Sequence, residues 1–317
     1  MTYQPTAVND DLVSLPKLPV WVTTRRAETL ETVAFRSGAA LIVLNQLISD
    51  PRHGVPLKLL ANRLALSAAT ATSKLEGRLA READIRDAYH LTPRGEARGS
   101  DGDLLAFWRA AVRLRAGGTD EIADLVGADL AGEVGVWLDA GLERARTHGP
   151  LSGCVAVLRA VLEVDDRAER VACLLSDIVL ARALKWKTLL PVSARRLTKT
   201  ALRDLVADGQ GAELAVQVLI LESIEETSRM ARDLARRGEA LCFVAPKLRA
   251  KGSDAAVDLF LTEDAVVPAS MLSPRIWGTN IPMTDRAARR FCDRLVELGV
   301  ARELTGRSTF RLYGIAS

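Results

Sequence analysis

Between residues 24 and 49 apolar side chains recur at helical spacing, at Leu30, Val33, Ala34, Leu41, Leu44, Leu47 and Ile48. That pattern predicts an amphipathic helix. Its most apolar tract, "SGAALIVLNQLI", is too short for a membrane span and fits a buried helix. After the breaker "DPRHGVP" the helical period resumes over 57–90, with Gly77 near the middle as a bend. Further helices are predicted over 104–115, 121–125, 130–147, 152–164, 167–184, 199–207 and 213–237. A charged, glycine-rich loop, "LTPRGEARGSDGD", and a connector, "KWKTLLPVSARRL", interrupt them. The pattern changes near Pro246, where "PKLRAKGS" is basic and turn-forming. The chain therefore divides into an all-helical domain over 1–249, with an extended N-terminal arm anchored by Trp21, and a small domain over 250–317.

The small domain opens with a short apolar helix, "SDAAVDLFLTED", capped by Ser253, then a break at Pro268 and a second short element near "ASML". "TDRAARRFCDRLVELG" follows. Thr284 suits the N-cap. Ala288, Phe291, Leu295 and Leu298 fall on one apolar face, and Gly299 suits a left-handed helix end. Two short runs, 300–304 and 309–313, flank the turn Thr305-Gly306-Arg307-Ser308 and read as a hairpin. Three helices and a hairpin in this order are the layout of a winged helix-turn-helix. The expected fold class is mainly α, a multi-helix N-terminal domain followed by a small winged helix with a β-hairpin wing.

Composition agrees with helix, since aromatics are only 4% of the 317 residues and Ala, Leu and Arg dominate. A net charge of +3 says little about partners, but its distribution does. From Ser270 to Ser317 eight arginines face four acidic residues, so this stretch alone carries +4. A recognition helix presents its N-terminal residues to the major groove of DNA. Thr284, Arg286, Arg289 and Arg290 occupy that position, and Arg307 and Arg311 lie on the wing. Double-stranded DNA is the expected partner, and a homodimer is expected because a single winged helix rarely supplies enough specificity. A second basic patch, Arg195, Arg196, Lys199 and Arg203, either extends the footprint or pairs with acidic helices.

The N-terminal stretch lacks a basic region followed by an apolar one, so no signal peptide is expected, and no apolar run reaches membrane length. Cys154, Cys173, Cys242 and Cys292 are far apart in apolar contexts. They read as buried free thiols of a cytoplasmic protein, with no membrane partner.

Other chemistry is sparse. Asp87 and His90, three apart on a helix, could face one metal, as in carboxylate helix bundles. The second such unit is missing, so no metal is assigned, and pairing of Asp87 with Arg86 or Arg81 is the plainer reading. Asp177 sits in the apolar helix "CLLSDIVLARALKW" and needs a partner, expected to be Arg182 or an arginine of "SARRL". Glu76, Asp87, His90 and Asp177 are the candidate lining of a pocket in the helical domain for a small-molecule or protein ligand. No GxGxxG, phosphate loop, GxSxG or HExxH occurs, so no cofactor is implied.

Four segments, "READIRDAYHL", "DIVLARALKWKTLLP", "LRAKGSDAAVDLFLTEDAV" and "RELTGRSTFRLYG", make the chain resemble an uncharacterised bacterial family, domain of unknown function 1403. The resemblance spans nearly the whole length and implies no function. "TSKLEG", with Thr72, Glu76 and Gly77, also looks like the inhibitory-helix pattern of Fic proteins, but their His-Pro-Phe catalytic loop is absent. The leading expectation is a DNA-binding regulator with a helical sensing or dimerisation domain. The alternatives are an enzyme with its site in the helical domain, degenerate Fic-like or metal-dependent, and a protein–protein adaptor.

Overall fold

The computed structural model describes residues 14–23, 29–93, 95–114, 118–248, 251–307 and 309–315. The residues around the expected 249/250 boundary, most of the N-terminal arm and Ser308 of the expected turn lie outside these. The chain is mainly helical, with one small antiparallel sheet near its C-terminal end.

In chain order the helices begin with α1 (Val20–Thr23) and α2 (Leu30–Ser49). Next come α3 (Leu57–Leu75), α4 (Glu82–Leu91) and α5 (Gly99–Ala111). Then follow α6 (Thr119–Val126), α7 (Ala128–Ala131), α8 (Val134–His148), α9 (Pro150–Val164) and α10 (Glu169–Ala183). The body closes with α11 (Lys199–Val206) and α12 (Ala212–Val244). The expected continuous helix over 57–90 is two helices. Gly77 adopts φ +80°, and the Arg78 N–H reaches back 2.8 Å to the Ser73 carbonyl, which ends α3 instead of bending it.

α10 is the centre of the body. Every residue from Val171 to Ala181 is buried, so it reads as apolar all round. α8 and α9 pack on it and on each other. Gly153 allows the close approach, because a Cβ there would lie 2.5 Å from the Gly141 carbonyl oxygen. α12 is 33 residues long, a rod of about 50 Å. α2 lies along it, and α9 and α11 pack beside it. α3, α4 and α5 form a second layer against which the C-terminal segment sits.

That segment contains α13 (Ser253–Phe260), one wide π-type turn at Pro268–Leu272, α14 (Asp285–Glu297), β1 (Ala301–Glu303) and β2 (Tyr313–Ile315). The N-cap of α13 is Gly252, at φ +84°, with Ser253 already the first helical residue. β1 and β2 pair with Ala301 opposite Ile315 and Glu303 opposite Tyr313. Val266 and Tyr313 exchange backbone hydrogen bonds of 2.7 and 2.9 Å on the other side of β2. The connection between the strands is longer than the expected four-residue turn. Glu303 folds it by accepting hydrogen bonds from the backbone N–H of Thr305 (2.8 Å) and Gly306 (2.7 Å).

Candidate functional site

α14 has sharply different faces. Ala288, Phe291, Cys292 and Leu295 are buried against the wide turn and β1, and the Phe291 ring lies 6.3 Å from that of Phe260. Thr284 caps the helix by accepting from the Ala287 N–H at 3.3 Å. On the outside, Arg286, Arg290 and Arg294 recur every four residues and form one exposed stripe. This stripe borders an open cleft of about 570 Å³ whose opposite wall is Lys247 and Leu248. The cleft lining holds four cationic side chains and no carboxylate. Arg294 is bound to Glu297 at 2.8 Å, whereas Arg286 and Arg290 make no ion pair among the described residues.

The other arginines singled out from the sequence are engaged. Arg289 pairs with Asp285 at 2.6 Å. Arg311 approaches Asp293 at 4.0 Å, and the Tyr313 hydroxyl donates to the same carboxylate at 3.1 Å. Arg307, in the connection between β1 and β2, faces Asp87 of α4 at 3.6 Å.

Behind this surface the C-terminal segment is tied to the body by buried polar contacts. Arg109 of α5, 2% exposed, donates to both Asp264 and Glu263. His90 Nε2 lies 3.3 Å from Asp264 Oδ1. Burial pushes the Asp264 carboxyl up, but His90 and then Arg109 outweigh it and hold the group at about 2. Arg86 donates to the Leu304 carbonyl (3.1 Å), Arg63 to that of Ile315 (2.8 Å) and Asn62 to that of Thr262 (2.8 Å). The C-terminal segment therefore meets the body at an ion-paired joint.

The four residues considered for a pocket in the body take separate partners. Asp87 binds Arg86 at 2.7 Å and His90 turns to Asp264, so the two do not converge. Glu76 pairs with Arg170 at 2.9 Å and with Arg78 at 3.7 Å. Asp177 is fully buried in α10, and its partners are not arginines. Its Oδ1 accepts the backbone N–H of Val192 (3.0 Å) and Ser193 (2.9 Å), pinning the connector to the core. Burial raises this carboxyl to about 7, because two amides only partly offset the loss of water. Among the described residues no cluster of three His, Cys, Asp or Glu could hold a metal.

Three members of the second basic patch pair internally, whereas Arg203 is exposed and makes no ion pair among the described residues. Arg195 and Arg196 reach Glu226, and Lys199 reaches Glu169 at 3.1 Å. Three cysteines are buried as expected, whereas Cys242 is exposed. α2 is long and apolar enough to cross a membrane by composition alone, with 39% of its most apolar window buried. Sequence reasoning missed Lys247 and Arg294 as members of the site. The four-residue period of the arginines could have found Arg294. Lys247 is far away in sequence and only folding brings it across from α14.

A family model described as "Protein of unknown function (DUF1403)" matches residues 6–315. No curated protein gives a significant match to the chain.

Proposed function

We infer that this chain, which belongs to the DUF1403 family of unknown function, is a regulator that binds duplex DNA through its C-terminal segment. In this reading the segment is a winged helix-turn-helix domain. α13 is its first helix, the Val266 bridge its first strand, the wide turn a reduced second helix, α14 the recognition helix, and β1 and β2 the wing. Its work belongs in the cytoplasm, where a bacterial chromosome is accessible.

One observation carries the proposal. Lys247, Arg286, Arg290 and Arg294 bound a single open cleft whose lining holds no carboxylate, and of the four only Arg294 is ion-paired among the described residues, with Glu297 outside the cleft. Clustered cations on one face repel each other and are favoured where a polyanion is the partner. Arg286 and Arg290 are uncommitted and placed on the first turns of α14, so they are assigned to phosphates or guanine edges. The wing contributes less than the sequence led one to expect, because Arg307 leans on Asp87 and Arg311 on Asp293.

The test is fluorescence anisotropy of the purified chain on random-sequence duplex DNA across a salt series. Neutralising three or four phosphates gives a slope of log affinity against log salt of about −3 to −4. Changing Lys247, Arg286 and Arg290 together to Ala should abolish most binding and flatten the slope. Arg289→Ala, which removes a cation already paired to Asp285, should change little. Binding that is absent at low salt, or indifferent to the triple change, sinks the assignment.

A further inference from the structure

The outer face of α2 is apolar where a surface helix is expected to be polar. Phe35 and Ile42 are 61% and 62% exposed. From α1, Trp21 (64% exposed) brings its ring to 6.2 Å from that of Phe35, and Val20 stands beside it at 74% exposed. These side chains present apolar surface on the order of 500 Å², as large as the largest patches that monomers carry.

The pattern along this face is its own complement. Phe35 and Ile42 are two helical turns apart, about 10 Å. Gly38 and Ala39 lie between them, and a Cβ placed on Gly38 would meet nothing within 4 Å. The order is large, small, small, large, symmetric about the midpoint between Gly38 and Ala39. A second α2 laid antiparallel across it sets Phe35 against Ile42 of the second copy and Gly38 against Ala39. One turn further out, Glu31 meets Gln46, so no like charges oppose each other across the axis. Glu31 and Arg36 are the only charged residues of the helix, and Arg36 is turned inward to Glu225, with hydrogen bonds of 2.6 and 2.8 Å. A surface on which Glu31 is the one outward-facing charge of the helix gives a charged partner little to select, and a self-complementary one closes on its own copy without leaving a free end.

We propose that α1 and the outer face of α2 form the interface of a two-fold symmetric homodimer, with Phe35 packed against Ile42 across the axis. The apolar centre alone supplies more than half of the roughly 800 Å² per partner of a standard interface. The proposal uses none of the residues assigned to DNA, so either reading can fail alone.

The test is sedimentation equilibrium of the whole chain over a concentration series, with Phe35→Glu and Ile42→Lys made singly. The wild type should sediment at twice the chain mass. Each variant should weaken association by roughly 100-fold, as for the loss of a central hot-spot residue. Both positions are exposed in the single chain, and circular dichroism checks that the variants fold. An equimolar mixture of the two variants should recover the dimer, because the antiparallel arrangement puts the new glutamate opposite the new lysine. A wild type that stays monomeric at its highest soluble concentration overturns the proposal. So does a dimer untouched by either change, or a mixture that fails to associate when each variant is folded. Uptake of the monomer onto lipid vesicles, lost in Phe35→Glu, overturns it in favour of a membrane contact.

Discussion

Asp177 and Asp264 are both buried carboxylates, and the protein treats them in opposite ways. Asp177 lies deep in the body with two backbone amides for company, and burial lifts it to about 7. Asp264 lies at the joint between body and C-terminal segment, and His90 and Arg109 hold it at about 2 despite the same burial. Burial alone does not set the charge of a group. What decides is whether a cation was buried with it. Asp177 fixes a connector and carries an energetic penalty when ionised, whereas Asp264 belongs to a joint that requires ionisation.

The strongest way to break the contrast is to remove the cation. Arg109→Met should leave Asp264 and Glu263 buried without their guanidinium and cost roughly 3–5 kcal/mol in urea unfolding. If the loss is below about 1 kcal/mol, the joint is not held by charge.

The next largest effect concerns Asp177 and is pH-dependent. Its folded value, about 7, lies above the usual 3.8. Between those values the unfolded chain releases a proton that the folded chain keeps, so stability falls as pH rises from about 4 to 7 and then levels off. Asp177→Asn keeps an oxygen for the Val192 and Ser193 amides. Thermal unfolding should show it up to about 3–4 kcal/mol more stable than wild type at pH 8 and nearly equal at pH 4. A variant less stable at pH 8 would mean the carboxylate is needed ionised.

Asp264 has the opposite sign. Its folded value is depressed, so its contribution is complete above about 4 and is lost as pH falls toward 2. His90→Gln should raise the folded value and shrink that acid limb, at a cost of roughly 1–2 kcal/mol at neutral pH. Acid titration followed by circular dichroism reads both. The smallest change is expected for Arg307→Ala, whose side chain is 59% exposed. A solvated pair of this kind is worth under about 0.5 kcal/mol, and a larger loss would show the β1–β2 connection to be part of the joint.

The two aspartates also mark how far the sequence could be read. Asp177 stood out because a charge in an apolar helical run must have a partner, but backbone amides leave no trace in a side-chain pattern, so an arginine was expected. Asp264 did not stand out. "LTED" reads as an ordinary polar helix end, and Arg109 as one more arginine on an amphipathic helix. Their meeting depends on packing across 155 positions. Local signals fared better. Thr284 caps α14 and Gly299 ends it at φ +71° as its residue type requires. Gly77 was noticed but read as a bend, because periodicity resumes in register after it and cannot show that the chain has stopped and restarted.

The joint also imposes an order on biosynthesis. Arg109 leaves the ribosome 155 residues ahead of Asp264, which at ordinary translation speeds is roughly 8–30 s. Throughout that interval Arg109 lacks both of the carboxylates that bind it in the folded protein. A premature stop anywhere between α5 and α13 removes both carboxylates and should yield a destabilised product rather than a smaller working protein.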